Sequence, residues 1–233
     1  DRFFEAHITN NVVTIMTGAS SSSSVMVLES VEGPIRVTGN RMTGARGTAF
    51  TLQYCEATSG APGLIANNYI QSSDNSYSIY FYYNSYQRFY HNSVNNTSSG
   101  DALYYSGAYS TDNQFRNNIF KSGTGTAIEV ANSTGLTGLD YNDYFTSGTY
   151  LARWFSTNAA DLATWQTLSS RDANSLNVDP QFVSATDLLA QSPALTEAGT
   201  DLTSEVSVDI DGNPRTVPVS IGACHSGMLC GRR

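Results

Sequence analysis

Arg88, Tyr90 and His91 crowd into four consecutive positions, and Arg116 stands one sequence repeat further on. The arginines supply cations that could offset the carboxylate of an acidic sugar. A tyrosine or histidine beside them could remove the neighbouring proton, which is what β-elimination from a uronate chain requires. A second chemistry, hydrolysis by paired carboxylates, would have to use Asp140 and Asp143. These bracket Asn142, so their side chains are expected to diverge. A third feature is aromatic: nine of the fourteen tyrosines lie between positions 77 and 109. Strand alternation turns Tyr105 inward but Tyr80, Tyr82 and Tyr104 outward, where flat rings with a hydroxyl suit sugar rings or a protein partner.

These residues must be positioned by a repeat. The pattern of an apolar residue, two variable residues, an asparagine, one variable residue and an apolar or aromatic residue recurs six times, with its asparagine at Asn11, Asn40, Asn68, Asn92, Asn118 and Asn142. Asparagine tolerates left-handed backbone and bonds neighbouring peptide groups, so one at a corner of every repeat predicts stacked coils with a side-chain ladder. About ten residues after each corner comes a period-2 stretch that points Phe50 and Leu52, Ile79 and Phe81, Leu103 and Tyr105, and Ile128 and Val130 inward. In the slot after the first apolar position, Thr9, Thr38, Ala66, Tyr90, Arg116 and Asp140 should line up facing solvent, with Arg116 and Asp140 as neighbours. Coils of this length, with no helical stretch inside them, read as an all-β fold, a parallel β-helix. Leucine-rich repeats need a leucine-dense strand that these copies lack, and propeller blades need a longer period.

Composition narrows the function. A net charge of −8, a pI near 4.7 and a single lysine, Lys121, exclude nucleic acid as a partner, because phosphate binding rests on clustered Lys and Arg. The same deficit opposes unaided capture of a polyanion, although calcium could reverse the local sign; no other cofactor is expected. No apolar run reaches the roughly 18 to 20 residues of a membrane span. A polar surface built from Ser, Thr, Asn and Gly suits an exported protein. Of the three cysteines, Cys224 and Cys230 flank a short loop that could close as a disulfide in an oxidising compartment, and Cys55 is expected to be a buried thiol. Zinc held by Cys224, His225 and Cys230 does not match a usual ligand spacing.

Residues 1–150 are thus expected to form the coils, and 151–233 a helical insertion, the final coils and a C-terminal cap of the same domain. Ser20 to Ser24 reads as a solvated loop. Apolar positions from Asn158 to Leu168 predict one short amphipathic helix, capped by Asn158 and packed on a flank. Strand-like composition returns at Leu176 to Val183 and Val217 to Ala223. Asp209-Ile210-Asp211-Gly212-Asn213 is similar to part of a calcium loop but lacks its distal glutamate, and a turn is the expectation. Because a solenoid end leaves backbone groups unpaired, the N-terminal end is expected to be covered by further sequence or by a partner chain.

The run Asn174 to Phe182, then Ser192-Pro193-Ala194-Leu195, Asp209 to Arg215 and Ile221-Gly222-Ala223, resembles the C-terminal end of secreted right-handed parallel β-helix repeat proteins of the pectate-lyase-like superfamily. Ser220 departs from the aspartate common before Ile-Gly-Ala, and Cys224-His225 from an aromatic and a glutamate. The resemblance implies an extracellular or cell-surface location and contact with polysaccharide. The leading expectation is therefore a surface module that binds polysaccharide or a surface protein, using Tyr80, Tyr82 and Tyr104. The alternatives are a lyase, or less readily a hydrolase, acting at Arg88, Tyr90, His91 and Arg116, and a structural or adhesin subunit.

Overall fold

The computed structural model describes residues 5–15 and 23–224. Three parallel sheets run the length of a coil stack. The first stacks Ala6–Thr9, Ile35–Thr38, Gly63–Ala66, Gln87–Tyr90, Asn113–Arg116 and Leu136–Asp140. The second stacks Val12–Ile15, Arg41–Gly44, Tyr69–Ser72, Ser93–Asn96, Ile119–Ser122 and Asp143–Thr146. The third stacks Met26–Glu29, Phe50–Gln53, Ile79–Tyr82, Leu103–Ser106, Ile128–Asn132 and Ala152–Trp154, closed by the antiparallel strand Thr157–Ala159. Register is kept from coil to coil apart from single-residue shifts after Tyr105 and after Asn113, so like side chains stack: Phe81 lies 5.4 Å from Tyr105, Phe89 5.3 Å from Phe115, and Phe120 5.7 Å from Tyr144, ring centre to ring centre. The residues expected inside, from Phe50 to Val130, are all buried.

The corner asparagines form one continuous ladder. Each side-chain oxygen accepts from both the backbone N–H and the amide of the asparagine one coil below, at 2.8 to 3.1 Å, from Asn11 through to Asn142. From Asn40 onward each amide also donates to a carbonyl of the preceding coil, as Asn92 does to Ile65 at 2.9 Å. The left-handed residue is not the ladder asparagine, as its conformational preference suggested, but the one before it: Asn10, Gly39, Asn67, His91, Asn117 and Tyr141. The sharp turn and the hydrogen-bonding amide are divided between neighbours, which frees the ladder side chain to point inward. At Gly39, with φ of 72°, a Cβ would come within 2.2 Å of the Asn10 side-chain oxygen, so a larger residue there would have to displace that side chain.

The helix, α1 (Leu162–Ser169), is capped by Asp161, whose carboxylate accepts from the Thr164 N–H at 2.8 Å; Asn158, the expected cap, sits in the preceding hairpin. Nor does α1 lie on a flank. Trp165 is fully buried against Trp154 and Tyr144 and so plugs the C-terminal end of the core. Its indole N–H donates to Asp172 at 2.7 Å, and Tyr144 and Ser175 donate to the same carboxyl. Ser175 in turn accepts from the Asn142 N–H, which terminates the ladder.

From Leu176 onward the chain runs back along the outside as an irregular strap; the strand-like segments 176–183 and 217–223 form no strands. Leu176 alone bridges in parallel to Asp143 at the edge of the second sheet, and the pairing does not extend beyond it. The strap docks on the left-handed corner residues. Asn117 exchanges hydrogen bonds with Thr200, Asn67 donates to Val208 and accepts from Arg215, and Ala223 donates to Ser93. Arg215 is buried, which lowers its pKa to about 10, and it also holds the carbonyls of Gly222 and Ala223. The Asp209 side chain accepts from the N–H groups of Asp211 and Asn213, making the expected turn.

Candidate functional site

The strap lies over the corner between the first and second sheets, leaving the outer face of the third sheet open. Two outward rows run along that face. One is Val27, Thr51, Tyr80, Tyr104, Glu129 and Arg153; the other is Glu29, Gln53, Tyr82 and Ser106. At its centre the tyrosine rings form an unbroken ribbon. Tyr77 lies 4.7 Å from Tyr104, Tyr104 5.2 Å from Tyr80 and almost parallel to it, Tyr80 5.4 Å from Tyr82, and Tyr82 3.8 Å from Tyr83. Tyr54 and Tyr109 continue it edge-on. The three tyrosines expected outward, Tyr80, Tyr82 and Tyr104, are half-buried by one another and open on one side.

Tyr54 and Tyr83 hold left-handed backbone, with φ of 55° and 54°. That conformation is uncommon for a bulky side chain and costs on the order of 1 kcal/mol, where asparagine or glycine would be cheaper. Left-handed backbone recurs at this corner of the third sheet, at Ser30, Tyr54, Tyr83 and Phe155, and two of these four residues belong to the ribbon.

Beside the ribbon is a groove of about 690 Å³, lined by Tyr77, Tyr80, Asp101, Glu129 and Arg153 among others. The Glu129 carboxyl meets that of Asp101 and accepts from Arg153 at 3.1 Å. Burial raises the Glu129 pKa, Arg153 opposes the shift, and the Asp101 carboxyl adds to it. Burial and the charge of Glu129 push the Tyr77 phenol up to about 12. The second Arg153 contact is to Asn158. None of Asp101, Glu129 and Arg153 was expected as a site residue. Glu129 was within reach, because it occupies the outward slot of Tyr104 one coil later; Asp101 lies in a turn with no periodic signal.

The Arg88, Tyr90, His91 and Arg116 quartet is not a groove. Tyr90 and Arg116 are in register as expected, but Tyr90 and His91 are 3% and 0% exposed, and Leu202 and Val206 of the strap pack over Tyr90. Tyr90 donates to Gln114, and burial drives its phenol up to about 12, away from the range of a useful base. Arg88 is occupied by Asp112. Asp140 is the register partner of Arg116, as expected, and its carboxylate accepts from the backbone N–H and the side-chain amide of Asn174. The outer slot of the first sheet is thus largely a docking surface for the strap.

Among the described residues no group of three or more His, Cys, Asp or Glu converges to hold a metal. Cys55 is a free, buried thiol whose pKa burial raises to about 11. Cys224 is disulfide-bonded; its expected partner, Cys230, lies outside the described residues, as do His225 and most of the Ser20 to Ser24 loop. Among the described residues no helix is long and apolar enough to cross a membrane.

Parallel coils with an internal asparagine ladder and a plugged C-terminal end define a β-helix protein. The chain belongs to the right-handed β-helix family: the model of the right handed beta helix region matches residues 3–160. No curated protein and no solved structure matches it.

Proposed function

We propose that this protein is an extracellular or cell-surface module that binds polysaccharide along the outer face of its third sheet. The observation that carries the proposal is the ribbon of stacked tyrosines, open on one side of a fold whose other corner is covered by its own strap. Tyrosine rings bury little conformational entropy, offer flat apolar surface to a sugar ring and present hydroxyls at its edge. Thr51, Gln53, Asn75 and Ser99 around the groove add neutral hydrogen-bonding groups.

Binding accounts for the carboxyl pair better than hydrolysis does. Two carboxyls that flank a scissile glycosidic bond stand roughly 5 to 9 Å apart, whereas Asp101 and Glu129 touch. A lyase would need an exposed base near a free cation, and in this quartet the two candidate bases, Tyr90 and His91, are buried while Arg88 is paired with Asp112.

Replacing Tyr80, Tyr82 and Tyr104 together by alanine is expected to abolish retention on polysaccharide in affinity electrophoresis while the circular dichroism spectrum is kept, since the three side chains point away from the core. Unchanged retention on a polymer that the wild type binds would sink the proposal. A second test uses the strained corners. Tyr54→Asn with Tyr83→Asn relieves left-handed strain of about 1 kcal/mol at each site and forfeits ring contacts of similar worth. Thermal stability should therefore move by no more than about 1 kcal/mol, while affinity falls several-fold. A large loss of stability with intact affinity would make these tyrosines packing residues.

A further inference from the structure

The charges around the tyrosine face go further than the proposal of polysaccharide binding, on which this inference rests. The two outward rows of the third sheet contain Glu29 and Glu129 and a single cation, Arg153, which is already engaged by Glu129 and Asn158. Asp101 stands at the same end of the groove, with one carboxylate oxygen held by the Thr126 N–H at 2.6 Å and the carboxyl in contact with Glu129. At the other end Glu32 and Glu56 are paired across adjacent coils and, with Tyr54, line a smaller cleft. A ligand running along the ribbon therefore meets acidic groups at both ends and no unengaged cation in either row.

We propose that this face selects uncharged, hydroxyl-rich polysaccharides and excludes polyuronates. Ionised carboxylates only accept hydrogen bonds, so their partner must donate; a sugar hydroxyl does, and a uronate carboxylate does not. A chain of uronates would place like charges opposite Glu129, Asp101 and the Glu32–Glu56 pair, and juxtaposed like charges are a strong means of rejecting a wrong partner. Neutral rings keep the tyrosine contact without that repulsion.

The test compares a panel of neutral polysaccharides (a β-glucan, a xylan, a mannan and a galactan) with the same polymers oxidised at C6 to uronates where that carbon is present. Binding is measured by affinity electrophoresis and calorimetry at low salt with a chelator present. The expected result is that at least one neutral polymer binds and that its oxidised form binds at least ten-fold more weakly. In the Asp101→Asn, Glu129→Gln double variant, which keeps the acceptors for Thr126 and Arg153, that gap should shrink toward equality. An oxidised polymer that binds as well as its neutral parent overturns the selectivity while leaving the binding face intact, and so does a gap that the double variant leaves unchanged. Failure of every polymer, neutral and oxidised, would remove the binding proposal and this inference with it.

Discussion

Asn92→Ala is expected to cost about 4 kcal/mol and to lower the melting temperature by roughly 8 to 16 °C. The Asn92 side chain is fully buried. Its oxygen accepts from the backbone and side-chain nitrogens of Asn68 at 3.0 and 2.8 Å, and its amide donates to Ile65, Tyr90 and Asn118. Alanine leaves two donors and at least one carbonyl of the neighbouring coil with neither partner nor water, and each such group costs about 1 to 3 kcal/mol. Asn11, exposed at the beginning of the ladder, is the control: its replacement should cost no more than about 1 kcal/mol. Scanning calorimetry on the two variants separates the cases. An Asn92 variant as stable as the Asn11 variant would mean that the ladder is an ornament of the corners rather than a support for them.

Asp172→Ala should be of similar severity. It strips the acceptor from the Trp165 indole, the Tyr144 hydroxyl and the Ser175 hydroxyl at the plugged end of the core, a loss of about 3 kcal/mol or more. The group also gives stability a defined pH dependence. Burial raises the Asp172 pKa from an ordinary 3.8 to about 7, with its hydrogen bonds opposing the shift. Between those values the folded protein holds a proton that the unfolded chain has lost, so stability falls as pH rises. The contribution is fully present below about pH 4, declines up to about 7 and is level above that. Asp143 acts with the same sign: burial raises its pKa, and one of its carboxyl oxygens has no partner. Urea denaturation from pH 4 to 8 should show the wild type losing stability relative to Asp172→Asn across this window. A constant difference between the two curves would place Asp172 among ordinary ionised carboxylates.

The coils were legible because they are encoded locally and repeatedly. Six asparagines in phase and alternating pairs such as Ile79 and Phe81 fix both the corner and the inward face, and the structure keeps both. The tyrosine face was legible for the same reason: alternation alone turns Tyr80, Tyr82 and Tyr104 outward. What could not be read were contacts between segments far apart in sequence. Tyr90 looked accessible because nothing in its own repeat covers it; Leu202 and Val206, more than a hundred residues later, do. The helix was correctly expected as a helix, but its place over the end of the core depends on Trp165 reaching Tyr144 and Asp172. Glu129 follows from the same alternation, since it holds the outward slot between the inward Ile128 and Val130 and pairs in register with Tyr104.

The returning strap changes how the molecule should come apart. A bare solenoid is close to a one-dimensional array in which each coil feels only its neighbours, so it can fray from either end and unravel stepwise. Here a later segment is fastened to several coils at once: at Lys121 and Asp179, at Asn117 and Thr200, at Asn67 and Arg215, and at Arg41 and Asp211. Losing one of the bridged coils strains the fastenings of the others, which couples their opening into a larger cooperative unit. The same wiring sets an order on synthesis, because coils complete by residue 154 must wait for residues 176 to 224 before they are locked together.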